Sequence, residues 1–149
     1  MAVINKSLRV SSSHNFQIID ITRDIVAILN ETSKENKISD GIVNIFTKHS
    51  TSAIRVNENE KGLLLDFEKI LKDIVKEKDN YKHDFIDNNA ASHIMAFLLG
   101  SSETIPIVDG RLDLGTWQSI FFIELDGPRT NRTVDLTFIG DDYGTLKES

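Results

Sequence analysis

Three of the four histidines in this chain stand at polar transitions between apolar runs: His49, His83 and His93. A neutral imidazole is an acid–base group near neutral pH and a good ligand for a divalent metal. Three of them converging would hold a zinc ion and leave one position open for water or substrate. No two have the i, i+4 spacing that places both on one helix face, so any convergence must come from the fold. The other chemistry open to them is general acid–base work, with the ring oriented by Asp84, Asp87 or Glu58. The bland alternative is a set of separate histidines bonded to loop carbonyls or carboxylates. His14 lies in a serine-rich turn and reads as a surface residue.

Anion binding is the second chemistry on offer. Ser50, Thr51 and Ser52 follow an apolar run, and Gly100-Ser101-Ser102 follow a helical one. Both groups supply hydroxyls and free backbone amides, and Lys48, Arg55 and Arg111 are close in sequence to neutralise a phosphate. Turn residues making local bonds would look the same. No Walker or dinucleotide fingerprint is present. The Gly-x-Ser-x-Gly elbow of a serine hydrolase is missing as well. Trp117, the only tryptophan, reads as a core anchor by size. The amide of Gln118 beside it needs partners if it is buried.

The elements that must position these groups follow from periodicity. Val3 to Ser11 alternates as a strand with one dry face. Phe16 to Ile19 is a second strand, expected as its hairpin partner. Asp20 opens a helix whose apolar face is Ile21, Ile25, Ile28 and Leu29. The helix weakens through Thr32, Ser33 and Asn36, and a loop runs to Asp40-Gly41. Ile42 to Phe46 is a strand, buried on both faces for part of its length. It leads into the His49 segment, and Ala53 to Val56 resumes strand character. Asn59 is expected to cap a long helix with an apolar stripe of Leu63, Leu64, Phe67, Ile70, Leu71, Ile74 and Val75. A polar loop carries His83, and Asn89 is expected to cap a short helix from Ala90 to Leu98 that carries His93. Gly100 ends that helix. Thr104 to Val108 is a strand that Pro106 confines to an edge or a bulge. Asp109-Gly110 is a tight turn. Ser119 to Leu125 and Arg132 to Ile139 complete the strands, and Gly140 to Ser149 is a polar tail. The class is α+β, one domain over 1–149, with a largely antiparallel sheet and helices against one face.

Composition narrows the function. The chain has 149 residues, no Cys and a formal charge of −6. Its basic residues are scattered, which argues against a nucleic-acid face. No apolar run approaches the roughly 20 residues of a membrane span. The N-terminal residues turn polar too early for a secretion signal, so a cytoplasmic location is expected.

Ser102-x-x-Ile105-x-Ile107-x-x-Gly110, followed by Gly115-Thr116-Trp117-Gln118-x-Ile120, resembles the signature of the YjbQ family. His49-Ser50-Thr51-Ser52-Ala53 resembles its His-Thr-Ser-Ala segment, and Asn57-Glu58-Asn59 its Asn-Glu-Asn segment. Tyr81-x-His83, Asn88 and Ala91-x-His93-Ile94 resemble its downstream histidine region. The family's usual acidic pair appears here as Asp87-Asn88-Asn89, so a carboxylate role there rests on Asp87. The resemblance implies a curved mixed sheet and a homotrimer. It also implies a secondary thiamine-phosphate synthase, a transferase that joins a pyrimidine pyrophosphate to a thiazole phosphate with metal assistance. On that reading His49, His83, His93 and Asp87 do the chemistry, and the three histidines hold a zinc or magnesium ion. Ser50, Thr51, Ser101, Arg111, Trp117 and Gln118 would then contact a small phosphorylated ligand. A non-catalytic ligand-binding homotrimer and a metal-dependent phosphoester hydrolase are the alternatives. Neither nucleic acid nor membrane is an expected partner.

Overall fold

In a computed structural model, which describes residues 1–35 and 38–142, alternation in sequence becomes two antiparallel sheets. The strands are β1 (Ala2–Val10), β2 (Gln17–Asp20), β3 (Ile38–Phe46), β4 (Ser52–Glu58), β5 (Ser102–Val108), β6 (Arg111–Leu112), β7 (Gln118–Glu124) and β8 (Arg132–Asp142). The helices are α1 (Thr22–Glu35), α2 (Lys61–Ile74) and α3 (Ala90–Leu99), with a 3-10 turn at Lys82–Phe85 before α3. A five-stranded sheet has the order β1-β8-β3-β5-β6, and a three-stranded sheet has the order β2-β7-β4. The fold is α+β, as expected. The pairing is antiparallel throughout the described strands, where the resemblance implied a mixed sheet.

The main core lies between the sheets. Val134, Leu136 and Phe138 of β8 are fully buried, and their alternating neighbours face outward, as period-two patterning requires. Val43, Ile45, Ile54, Phe122 and the α1 residues Ile21, Ile25 and Leu29 fill the same space. The other face of the three-stranded sheet, with Ala53, Phe121 and Ile123, packs on Leu71 of α2, Val75 just beyond it, and Met95 of α3. β3 is buried on one face only, since Ile42 and Phe46 on the other face are each 37% exposed.

Several local expectations change. β2 pairs with β7 rather than with β1, whose partner is β8. The caps also move. Asp20 does accept from the Thr22 amide at the start of α1. At α2, however, Glu60 takes the cap, accepting from the Gly62 and Leu63 amides at 2.9 and 2.6 Å. Asn59 bonds Asp20 instead and so ties the two helix entries together. Asn89 precedes α3 without capping it, because Asp84 accepts from the Ala90 amide. Ile70 and Ile74 of the expected apolar stripe are exposed. β3 starts at Ile38, inside the expected loop, because Gly41 lets β8 come close. A Cβ at Gly41 would sit 2.0 Å from the Ile139 carbonyl oxygen. The expected tail is strand through Asp142; residues 143–149, with Asn36, lie outside the described residues. No helix among the described residues is long and apolar enough to cross a membrane.

Candidate functional site

The three histidines gather toward one end of the sheets, around the C-terminal end of β7 and the start of β8. β4 delivers the His49 turn there, because Ser52 is paired with Glu124. α3 arrives by a bond from Ser92 Oγ to the Leu125 carbonyl at 2.6 Å. The connection 125–131 then carries the chain across this end into Arg132. Gly127 in that connection has no room for a side chain, since a Cβ would lie 2.2 Å from the His14 carbonyl oxygen.

A buried ion pair holds the connection. Arg132 Nη2 lies 2.5 Å from Glu124 Oε2, and Arg132 Nε reaches both carboxylate oxygens. Glu124 is 0% exposed and Arg132 6%. Burial by itself would raise the Glu124 pKa, but bonds from Arg132, Ser12 Oγ and the Asp126 amide outweigh it and hold the carboxyl below its usual range. Arg132 also donates to Thr51 Oγ1 at 2.9 Å. Thr51, expected to contact a ligand, is therefore a buried acceptor for the ion pair.

His49 sits beside this pair in a turn closed by its own hydrogen bonds. The His49 amide donates to Thr47 Oγ1, Thr47 Oγ1 lies 2.7 Å from Ser52 Oγ, and Ser52 Oγ donates to the His49 carbonyl. The ring is pinned by the Thr133 backbone amide, which donates to His49 Nε2 at 3.0 Å. A backbone N–H only donates, so Nε2 carries a lone pair and the neutral ring carries its proton on Nδ1. Burial first, and then the Arg132 charge, depress the His49 pKa below its ordinary 6.5. His49 is thus kept neutral, with Nδ1–H as its free donor.

His83 and His93 form the other half. Their rings meet edge to face with centroids 4.8 Å apart. His83 Nε2 lies 3.1 Å from Asn89 Oδ1, and Asn89 Nδ2 donates to Asp126 Oδ2 at 3.0 Å. A carboxylate can only accept, which orients the Asn89 amide with its oxygen toward His83. His83 Nε2 is therefore the donor, and in the neutral ring Nδ1 is the free base. The Asp87 carboxylate stands 4.0 Å from the same Nε2. Asp126 Oδ2 also receives Arg129 Nη2 at 3.2 Å. A continuous path thus links His93, His83, Asn89, Asp126, Glu124 and Arg132 to the strand that anchors His49.

One chain does not converge its three histidines on a point. Among the described residues no group of three or more His, Asp or Glu side chains is placed to share a metal ion. His49 Nε2 is also committed to Thr133, so the expected tri-histidine donor set does not fit here. Ser101 does lie at this end, its carbonyl accepting from the Thr47 amide, and Ser50 is exposed in the His49 turn. Trp117, Gln118 and Arg111 lie at the opposite end. β7 begins at Gln118 and reaches the site only at Glu124, a span of roughly 20 Å at about 3.3 Å per residue. Gln118 Oε1 accepts from the Gly115 amide and closes a tight turn. Trp117 is 73% exposed rather than a core anchor. Residues that the sequence did not mark for chemistry complete the site: Asn89, expected only as a helix cap, is the orienter, with Glu124, Asp126, Arg129 and Arg132.

Over residues 6–141 the chain matches the family described as UPF0047 protein YjbQ-like. It is 48% identical over 132 residues to a UPF0047 protein of Methanothermobacter thermautotrophicus, covering 89% of this chain and 90% of that one. It is 34% identical over 143 residues to the UPF0047 protein YugU of Bacillus subtilis, covering 91% and 98%. A crystal structure of a YbjQ-like protein of unknown function from Sulfolobus solfataricus superposes with a TM-score of 0.88 at 37% identity, covering 94% of this chain and 99% of that one.

Proposed function

Because the chain belongs to the YjbQ-like UPF0047 family, we propose that it is a small cytoplasmic enzyme acting on a phosphorylated small molecule, with His83 and His93 sharing the proton transfers. One observation carries the reading. Asn89 orients His83 so that Nδ1 is the open nitrogen, and the His93 ring stands against it. A ring held in one tautomer by an outer partner is what acid–base work requires. Arg129, which shares Asp126 Oδ2 with Asn89, brings a half-exposed guanidinium to the same group for an anionic substrate.

The finer reading is thiamine-phosphate synthase chemistry. The thiazole nitrogen attacks the pyrimidine methylene carbon, a C–N bond forms, and the C–O bond to pyrophosphate breaks. Pyrophosphate leaves with the electron pair, and an imidazolium gives its proton to the departing oxygen. No step is assigned to a metal, since the donors do not converge. The test is condensation of the two precursors by the wild type and by His83→Ala/His93→Ala. Unchanged turnover in the double variant sinks the assignment. A parallel screen of phosphate esters with several divalent metals would reveal the hydrolase alternative.

A second reading, a ligand-binding homotrimer without turnover, is favoured by the exposed apolar side chains. Phe85 is 90% exposed, Phe97 89% and Ile86 76%, and Trp117 is bare at the other end. Apolar groups this bare are commonly covered in an assembly. Sedimentation of the wild type against Phe97→Ser reads it directly: a trimer that Phe97→Ser weakens supports it, and a monomeric wild type removes it.

A further inference from the structure

A cavity of about 220 Å³ lies under the N-terminal half of α2, away from the histidines. Its cause is local. α2 presses on the three-stranded sheet through Leu71, with Val75 just beyond it, but Leu64 and Phe67 are only partly buried. The Glu60 cap fastens the helix entry, and of the sheet beneath Ile18 stays only partly buried, while Phe121 and Ile123 are covered. Leu64 and Phe67 form the roof, Ile18, Phe121 and Ile123 the floor, and Leu99 the far wall. A mostly apolar cleft of this kind suits an apolar ligand.

The rim gives the ligand its polar end. Ala53 of β4 packs toward α2, so strand alternation sets Arg55 and Asn57 on the same face, two residues apart at the mouth. Arg55 Nη1 donates to the Leu99 carbonyl at 3.1 Å and pairs with Glu103 Oε1 at 3.0 Å. Nη1 serves both partners, which leaves the Nε and Nη2 edge as donors. Asn57 Oδ1 accepts from the Glu58 amide at 2.8 Å, so its Nδ2 is the outward group and also a donor. Glu58, the other charged residue of the lining, alternates with Val56 onto the opposite face, where Val56 packs in the main core. The mouth therefore presents donors above an apolar interior. We propose that this cavity is a binding site for a small apolar carboxylate, a short acyl or aryl acid, with its tail under α2 and its carboxylate on Arg55 and Asn57.

The test titrates the full chain with hexanoate, hexanol and hexylamine at equal ionic strength, following backbone amide shifts by NMR. Hexanoate is expected to give saturable shifts at residues 55–57 and 63–67, and to bind at least about tenfold more tightly than the alcohol or the amine. Arg55→Gln removes that preference, so that acid and alcohol bind alike. Leu64→Trp fills the cavity, abolishes the shifts and keeps the melting temperature. The proposal is overturned if hexanoate gives no saturable shifts, if they map to the histidine end, or if hexylamine binds equally well.

Discussion

Arg132 and Glu124 meet with Nη2 2.5 Å from Oε2, and each is almost wholly removed from solvent. Breaking a buried pair by deleting one charge costs about 3–5 kcal/mol, because the other charge is left uncompensated. Glu124→Gln and Arg132→Met are each expected to lose stability of that order in urea unfolding. The double variant Glu124→Leu/Arg132→Met should recover part of it. Additive losses in the double variant would show that the two residues do not act as a pair.

Stability should fall on mild acidification through His49. Its pKa is depressed below 6.5 in the folded chain, mainly by burial. Below 6.5 the unfolded chain binds the proton first, so stability rises with pH up to that value and is flat for this group above it. Unfolding midpoints should therefore drop as the pH falls below 6.5, and drop less in His49→Asn. Glu124 acts in a lower window with the same sign, as its depressed pKa makes stability fall once the pH goes below 4.5. Equal slopes in wild type and His49→Asn would remove His49 as a source of the upper step.

The protonation of His83 is open to a spectroscopic check. Asn89 Oδ1 faces His83 Nε2 because Asp126 holds the amide nitrogen. Imidazole nitrogen shifts of the neutral rings should show the Nε2–H tautomer for His83 in the wild type, and Nδ1–H for His49. Asn89→Ala should return His83 to a mixture and leave His49 unchanged. The Nδ1–H tautomer at His83 in the wild type would reverse the assignment of its free base.

Gly41→Ala tests the contact between β3 and β8. The added Cβ meets backbone, with the Ile139 oxygen 2.0 Å away, and backbone cannot swing aside. A loss of about 1–3 kcal/mol is expected, as for other overpacked positions. A neutral substitution would mean that the two strands separate easily there.

The extent to which the sequence foretold this molecule tracks the range of each interaction. Alternation in Val134, Leu136 and Phe138 and the Gly100 helix stop are local signals, and they placed their elements well. β2 makes no hairpin with its sequence neighbour β1, because its partner, β7, lies about a hundred residues on, a range that local patterning does not report. The histidines stood out by residue type. Their tautomers did not, because these depend on Thr133 and on the Asn89–Asp126 bond, which are 84 and 37 residues away from the groups they meet. Trp117 misled by size, since a large aromatic is usually buried, and here a single chain leaves it bare.

β1 pairs with β8 along its full length, from Ala2 against Gly140 to Val10 against Arg132. β1 is thus joined to a strand from the other end of the described residues. During synthesis the N-terminal strand must wait for residues 132–140 to leave the ribosome before the larger sheet can close. The Thr133 amide that pins His49 comes from β8 as well. A nascent chain stopped before β8 carries all three histidines but lacks the donor that sets one of them. The order of synthesis therefore delays a complete site until β8 has been made, and ribosome-stalled chains of increasing length should acquire protease resistance in one step as β8 emerges.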